Sequence, residues 1–196
     1  MNKNINRFTL LFYILFSSVS ISQNLIEDKF RISFEYGYFG SNYFLAENGG
    51  DYLNTSFGYK INDDFWLSLD LIKLNATGNY ESTTAGTIEN NFSMTMFIPN
   101  FSKDWRVSKK SFFKTTLGAS FILEKAYVPF VSVANSEINL SYENFNNEFD
   151  LGLFVNIGYL YEVHQNLYLG INFKTYAAIY LNPDSLFIGP SIEFRL

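Results

Sequence analysis

Few residues of this sequence have the types and spacing that catalysis or metal binding needs. The chain contains one histidine, His164, and no cysteine, so it offers no thiolate metal site and little basis for zinc coordination. Asp63 and Asp64 are adjacent carboxylates, but they stand in a short polar segment where acidic side chains form turns. No glycine-rich phosphate loop is present. The sequence therefore predicts no catalytic residue, no cofactor and no bound metal.

Charged residues do recur in a regular pattern, and this pattern predicts a structural role for them rather than a catalytic one. They occupy alternate positions of successive segments, opposite to the apolar side chains, and five are basic while six are acidic. Because an unpaired buried charge is very costly, this near balance predicts a sealed interior in which each charge has a partner. The predicted network consists of Arg31, Glu35, Lys60, Asp70, Glu89, Lys114, Asp150, Glu162, Lys174, Glu193 and Arg195.

The elements that carry these charges are predicted to be β-strands. Apolar and polar residues alternate in eight segments, and residues 23–196 contain no convincing amphipathic helix. In the fourth segment, the apolar face is formed by Phe92, Met94, Met96 and Ile98. The predicted strands cover about residues 30–39, 52–61, 65–74, 88–98, 112–123, 149–163, 167–176 and 186–196.

Short and long connections alternate along the chain. Residues 62–64 and 164–166 are short turns, and a moderate turn contains residues 103–106. Short turns at one end and long loops at the other are typical of an up-and-down outer-membrane barrel. The four longer connections, rich in loop-forming residues, are about residues 40–51, 75–87, 124–148 and 177–185.

The connection at residues 124–148 is rich in strand-forming residues around an Asn135-Ser136 turn. We predict that it extends strands five and six as a protruding hairpin. Two further strands, making ten in all, are the alternative.

Three features indicate that the apolar face points outward to lipid, rather than inward as in a soluble lipocalin-like barrel. The polar face carries the balanced charges. It also carries small residues that suit a narrow interior, namely Gly37, Gly58, Gly118, Gly152, Gly158, Gly170 and Gly189. Finally, the apolar face places two aromatic girdles around the aliphatic residues Leu69, Leu117, Val155 and Ile171. The girdle near the short turns contains Phe30, Tyr59, Phe65, Phe113, Tyr159, Tyr161 and Phe194, and the other contains Tyr36, Tyr38, Phe92, Phe121, Phe149 and Phe173.

The first 22 residues have the pattern of a cleavable signal peptide. Lys3 and Arg7 precede an apolar stretch at residues 8–16, which is too short to span a bilayer because a span takes about 20 residues. Ser20 and Ser22 supply small residues for cleavage. We predict a signal peptide at residues 1–22 and a barrel domain at residues 23–196. Loss of two bases changes the formal net charge from −5 to −7, which argues against nucleic acid as a partner.

The chain resembles the small outer-membrane β-barrel family, the OmpA/OmpX-like barrels and their porin-family relatives, over about residues 28–196. The resemblance rests on the export signal, the eight alternating strands, the segment NLYLGINFK after a tight turn and the terminal strand FIGPSIEFRL. Ile192, Phe194 and Leu196 keep the terminal alternation, although family members close on an aromatic residue. The resemblance implies a monomer in the Gram-negative outer membrane. Its implied partners are outer-membrane lipids, lipopolysaccharide and, during insertion, the barrel-assembly machinery.

The predicted function is not enzymatic. The lipid A deacylases and palmitoyltransferases among such barrels need a histidine beside a serine near the outer leaflet, whereas His164 lies in a short turn at the other end. Large inward residues, together with the paired charges, predict a filled lumen rather than a wide channel. These residues are Trp66, Phe97, Phe112, Phe154, Leu160, Tyr168, Tyr176 and Phe187.

The extracellular loops are then the expected place of function. They are acidic, which suggests adhesion or divalent cations that bridge to lipopolysaccharide. An OmpW-like narrow passage for small apolar molecules is the main alternative, and a soluble lipocalin-like binding barrel is a third. The acidic residues in or beside the loops are Glu47, Asp51, Glu81, Glu124, Glu137, Glu143, Glu148 and Asp184.

Overall fold

The computed structural model describes residues 29–41, 46, 48–82, 86–134, 137–178 and 185–196, with the backbone alone at 80–82, 126–134, 137–140, 142–148 and 178. The predicted signal peptide lies outside these residues. So do large parts of the predicted loops at residues 40–51 and 177–185. No helix within the described residues has the length and apolar character needed to cross a membrane.

Eight strands form one closed antiparallel barrel, as the sequence predicts. Each strand pairs with the next, and the last pairs with the first. Closure satisfies the backbone hydrogen bonds of both outer strands, so the barrel itself has no free edge. The strands are β1 (Phe30–Ser41), β2 (Gly49–Lys60), β3 (Phe65–Ser82), β4 (Gly86–Arg106), β5 (Ser111–Ala134), β6 (Glu137–His164), β7 (Leu167–Ala178) and β8 (Ser185–Arg195).

Three short turns lie at one end of the barrel, which we call the turn end. In the β2–β3 turn, the Asn62 side-chain oxygen accepts hydrogen bonds from the amides of Asp64 and Phe65, at 3.2 and 3.0 Å. The carboxylates of this segment therefore stand in a capped turn. In the β6–β7 turn, Asn166 has a φ of 63°, a left-handed conformation that asparagine tolerates better than most residues.

The strands differ greatly in length, and the extra length lies at the opposite, loop end. Strands β1, β2, β7 and β8 have 11 or 12 residues, whereas β5 and β6 have 24 and 28. The β5–β6 ladder continues to the pair Ala134 and Glu137, while the β6–β7 ladder reaches only Gly152 and Ala178. The predicted protruding hairpin is therefore confirmed, and the ten-strand alternative is wrong.

Two predicted connections are wrong because they belong to strands. Most of residues 75–87 lies in β3 and β4, which stay paired up to Ser82 and Gly86. Residues 103–106 are the last four of β4, and the β4–β5 turn follows them. Residues 75–87 are predicted to form a loop because they contain glycine, asparagine and threonine. A cross-strand ladder overrides such weak local preferences.

The predicted outward face lies outward in every strand except β4. On β3, for example, Leu67, Leu69 and Leu71 are exposed, while Trp66 and Asp70 are buried in the interior. The barrel thus carries its apolar belt on the outside and polar groups inside. This is the reverse of a soluble ligand-binding barrel, and it is the arrangement that a lipid environment requires.

Strand β4 was predicted inside out. Phe92, Met94, Met96 and Ile98 were assigned to the outer surface, yet all four are buried in the lumen. Phe97 was assigned to the lumen, yet it is 43% exposed on the outside. A shift of one residue exchanges the two faces of a strand. The physical reason is that the loop-end half of the lumen is itself apolar, so an apolar face does not identify the outside there.

The lumen and the protruding hairpin as candidate functional sites

The lumen is filled by three successive layers of side chains. A cluster of charges and aromatic rings lies at the turn end, a polar layer lies in the middle, and an apolar cluster lies at the loop end. Each layer draws on strands from all sides of the barrel. Together they determine whether anything can pass through it.

The first layer, which we call the turn-end cluster, is organised around the carboxylate of Asp104. Arg31 and Arg195 stand opposite each other on β1 and β8, where like charges repel. The negative charge of Asp104 offsets this repulsion, because its oxygens lie 2.8 Å from Arg195 Nη2 and 3.9 Å from an Arg31 nitrogen. It also accepts a hydrogen bond of 3.0 Å from the indole nitrogen of Trp66. The guanidinium groups in turn lie over the rings of Trp66 and Tyr168, at 4.7 and 4.3 Å.

Glu193 extends the turn-end cluster across the barrel. Its carboxylate lies 2.6 Å from the ammonium of Lys114 and 2.9 Å from a guanidinium nitrogen of Arg195. The Glu193 side chain is fully buried and Lys114 is nearly so. Charges this deep persist only when they are paired. Together with the rings of Phe112 and Tyr168, they occupy the lumen at the turn end.

The middle layer contains a second ion pair among hydrogen-bonded polar groups. Lys174 Nζ lies 2.7 Å from a Glu35 oxygen, and Glu35 also accepts hydrogen bonds from Asn172, at 2.7 Å, and from the Tyr52 hydroxyl. On the other side, Asp70 accepts hydrogen bonds from Ser56 and Asn100, at 2.6 and 3.0 Å. The cavity that remains between these groups is about 10 Å³, roughly the room that one water molecule needs.

The third layer, the loop-end apolar cluster, closes the lumen on the other side. Its centre is Phe187, whose ring lies 4.9 Å from that of Phe39, 5.1 Å from that of Tyr52 and 6.0 Å from that of Tyr176. Aliphatic side chains from the long strands complete the packing, and all of them are buried: Ile72, Leu74, Met94, Met96, Ile98 and Ile122.

The structure places most of the predicted network residues inside the barrel, with one clear exception. Lys60 and Glu162 are half-buried near the turn end, and Glu89 is exposed on β4. The assignment of Glu89 to the lumen was wrong for the same reason as the rest of β4. The buried residues are Arg31, Glu35, Asp70, Lys114, Asp150, Lys174, Glu193 and Arg195.

Two buried acids were not predicted. The sequence pattern places Asp104 in a turn and Glu124 in or beside a loop, yet both are buried on the inner face of long strands. The alternation Phe101, Lys103, Trp105 is a signal that could have extended β4 to include Asp104. The inward residues Phe112, Phe154, Leu160, Tyr168, Tyr176, Phe187 and Trp66 lie where they were expected.

The remaining candidate residues lie outside the lumen. His164 is exposed at the end of β6, beside the turn. Asp51 is exposed at the loop end. The other predicted loop acids, Glu124 apart, fall on residues that the structure does not describe or describes by backbone alone: Glu47, Glu81, Glu137, Glu143, Glu148 and Asp184.

Exposed aromatic side chains ring the outside of the barrel at two levels. Near the turn end, Phe30 packs edge-to-face on Tyr59 with ring centroids 5.4 Å apart. Near the loop end, the ring centroids of Phe121 and Phe149 are 6.4 Å apart. Phe92, which was assigned to the second level, lies in the lumen instead, and Trp105 joins the first level from β4. Aliphatic residues such as Leu69 lie between the two levels.

The protruding hairpin is the second candidate site. Its β6 part continues the ladder with β5 as far as Glu137, whereas the β6–β7 ladder ends at Gly152 and Ala178. Likewise, β5 pairs with β4 only as far as Tyr127. The hairpin therefore presents backbone N–H and C=O groups along its edges, which another chain can engage.

Comparison with known proteins shows the fold. No protein-family model and no curated protein matches the sequence. Among solved structures, Neisserial surface protein A superposes with a TM-score of 0.55 at 18% identity, over 85% of this chain and 97% of that one. The attachment invasion locus protein Ail of Yersinia pestis, solved with the heparin analogue sucrose octasulfate, gives 0.54 at 14% identity, over 86% and 100%. The outer membrane protein OprG from Pseudomonas aeruginosa gives 0.55 at 10% identity, over 87% and 98%. The chain thus has the fold of the small eight-stranded outer-membrane barrels.

Proposed function

We propose that this chain is a non-enzymatic outer-membrane β-barrel with a closed lumen, which acts at the cell surface through its protruding hairpin. The observation that carries the proposal is the reversed polarity of the barrel. Its outside is a belt of exposed apolar side chains between two aromatic levels. Its inside is filled by charged and polar groups at the turn end and in the middle, and by an apolar cluster at the loop end. Such a surface is stable in a bilayer and aggregates in water.

The outer membrane is favoured by topology as well as by polarity. Short turns lie at one end and long strands with their connections at the other, which matches the periplasmic and extracellular sides of such barrels. The similar solved structures are named as surface or outer membrane proteins. The predicted signal peptide would provide export. Lipids, lipopolysaccharide and the assembly machinery remain the proposed partners of a monomer.

The closed lumen leads to the first testable prediction. We expect purified, folded protein to give no steady ionic conductance in planar bilayers, because the turn-end cluster and the loop-end apolar cluster close the lumen at both ends. Insertion would be verified by the change in gel mobility between unheated and heated samples from the same vesicles. Large, weakly selective conductance from inserted protein would show that the lumen is open.

A surface role leads to the second prediction. Replacing residues 127–145 by Asn-Gly, which favours a tight hairpin turn, is expected to leave barrel folding intact and to abolish surface adhesion. Vesicles carrying either form would be compared for attachment to lipopolysaccharide-coated surfaces, with Mg²⁺ or with a chelator. Equal attachment of the two forms would show that the protruding hairpin does not mediate adhesion.

An OmpW-like passage for small apolar molecules is the second candidate function. The observation in its favour is the apolar lining of the loop-end half of the lumen, including Met94, Met96 and Phe187. The tight packing of those residues argues against a standing passage. Uptake of small apolar compounds by vesicles that show no ionic conductance would favour this function over the surface role.

A further inference from the structure

The β4–β5 hairpin carries an unusual concentration of positive charge at the turn end, in and beside its connecting turn. Lys103, Arg106, Lys109 and Lys110 fall within eight consecutive residues, and we call them the turn-end basic surface. They are exposed or half-buried, and none forms an ion pair within the part of the chain that the structure describes. The mature chain as a whole is acidic, so this concentration is local.

The turn end as a whole also carries an excess of positive charge. Apart from the buried turn-end cluster, six basic side chains lie there against three acidic side chains among the described residues. The three acids belong to the β2–β3 turn and to the end of β6. The bases are Lys29, Lys60, Lys103, Arg106, Lys109 and Lys110, and the acids are Asp63, Asp64 and Glu162.

Lys103 shows the level at which this surface would meet the membrane. Its ammonium lies 3.8 Å from the centroid of the Trp105 ring and 5.0 Å from that of Phe65. The indole nitrogen of Trp105 donates a hydrogen bond of 3.0 Å to Thr115 on β5, which fixes the ring beside the cation. Trp105 is 48% exposed and belongs to the aromatic level at the turn end. Such rings sit at the headgroup level of a bilayer, between the hydrocarbon and the water.

We infer that the turn-end basic surface binds the phosphate groups of anionic phospholipids in the leaflet next to the short turns. An ammonium held between two interfacial rings, with further cations on the adjoining turn, is complementary to an anionic headgroup whose acyl chains lie along the apolar belt. Juxtamembrane bases gain electrostatic energy from anionic lipid in this way. The inference rests on the proposed membrane location and adds a preferred lipid class to it.

The test uses Trp105 as a reporter of the lipid beside Lys103. The full mature chain is folded into vesicles of phosphatidylcholine and phosphatidylglycerol, with brominated acyl chains on one lipid or on the other, and quenching of tryptophan emission is measured. We expect phosphatidylglycerol to be enriched about fivefold next to Trp105, the population ratio expected from the attraction of one base. The enrichment should fall when the salt concentration rises from about 0.1 to about 1 M, because the Debye length shortens.

Matched variants assign the effect to this surface. Lys103→Gln/Lys109→Gln/Lys110→Gln is expected to abolish the enrichment, while Lys73→Gln/Lys125→Gln, which removes two exposed bases at the loop end, should preserve it. Arg106 is left unchanged because its guanidinium packs over the Phe112 ring.

Equal quenching by the two brominated lipids in inserted wild-type protein would overturn the inference and leave the proposed function intact. Failure of the wild-type chain to insert into either kind of vesicle would overturn the proposed function, and the inference with it. The salt titration needs no substitution, so it decides the question even if the triple variant fails to fold.

Discussion

Replacing Glu193 with glutamine is expected to reduce the free energy of unfolding by about 3–5 kcal/mol, because it leaves a buried charge without its partner. Glu193 is fully buried and lies 2.6 Å from Lys114 and 2.9 Å from Arg195. Arg195 retains Asp104 at 2.8 Å. Lys114 has no second carboxylate among its described ion pairs, so its ammonium would bear most of the loss.

A second substitution distinguishes loss of pairing from general disruption. In the double variant Glu193→Gln/Lys114→Met, neither partner is charged, and most of the lost stability should return, since replacing both members of a buried pair by neutral groups is often nearly neutral. Glu162→Gln, at a half-buried acid near the turn end, is the matched control and should change stability little. Urea titrations of the four proteins in phosphatidylcholine vesicles would measure these differences. A cost below about 1 kcal/mol for Glu193→Gln, the range of an exposed pair, would contradict a sealed turn-end cluster.

Replacing Leu69 with arginine is expected to cost about 2–4 kcal/mol, because a charge would enter the centre of the apolar belt. Leu69 is 49% exposed on β3, and its neighbours on either side are Phe57 and Pro99. It lies between the two aromatic levels. Its exposure in the isolated protein therefore corresponds to contact with lipid rather than with water.

The same substitution farther along the strand is the control. Asn75 lies on the same outward face of β3, six residues toward the loop end, and is exposed among polar neighbours. Asn75→Arg is expected to cost about 0–1 kcal/mol, as substitutions near the interface do. Unfolding titrations of both variants in vesicles give the comparison. Equal costs, or a neutral Leu69→Arg, would show that this face does not meet the hydrocarbon core.

The strands and the direction of their faces could be predicted from the sequence wherever the apolar face of a strand lies outward. On β1, β3 and β7, the alternating apolar face lies outward, and buried charges such as Glu35, Asp70 and Lys174 mark the inward face. On β4 that assumption failed, because Met94 and Met96 are part of the loop-end apolar cluster. Where the lumen itself is apolar, alternation locates a strand without assigning its faces. The predicted ends of some strands were wrong for a related reason. Pairing between two strands continues through residues that favour loops when the partner strand is present.

The members of the lumen network could be largely predicted, whereas their pairing could not. A balanced set of charges on inward faces indicates that partners exist. Lys114 and Glu193 are separated by 79 residues, and only the stagger of the closed barrel brings them together. The role of Asp104 shows the same limit. Its meeting with Arg31 and Arg195 depends on where β4 ends, which local sequence specifies poorly.

Quenching of the two tryptophans by lipid tests the central claim, that this barrel has lipid on the outside and a lumen filled by its own side chains. Trp105 is 48% exposed in the turn-end aromatic level, while Trp66 is 1% exposed in the lumen. In vesicles of brominated phosphatidylcholine, the wild-type chain should lose much of its emission, and Trp105→Phe, which retains only Trp66, should be quenched far less. Strong quenching of the Trp105→Phe variant, or none of the wild type, would contradict the account.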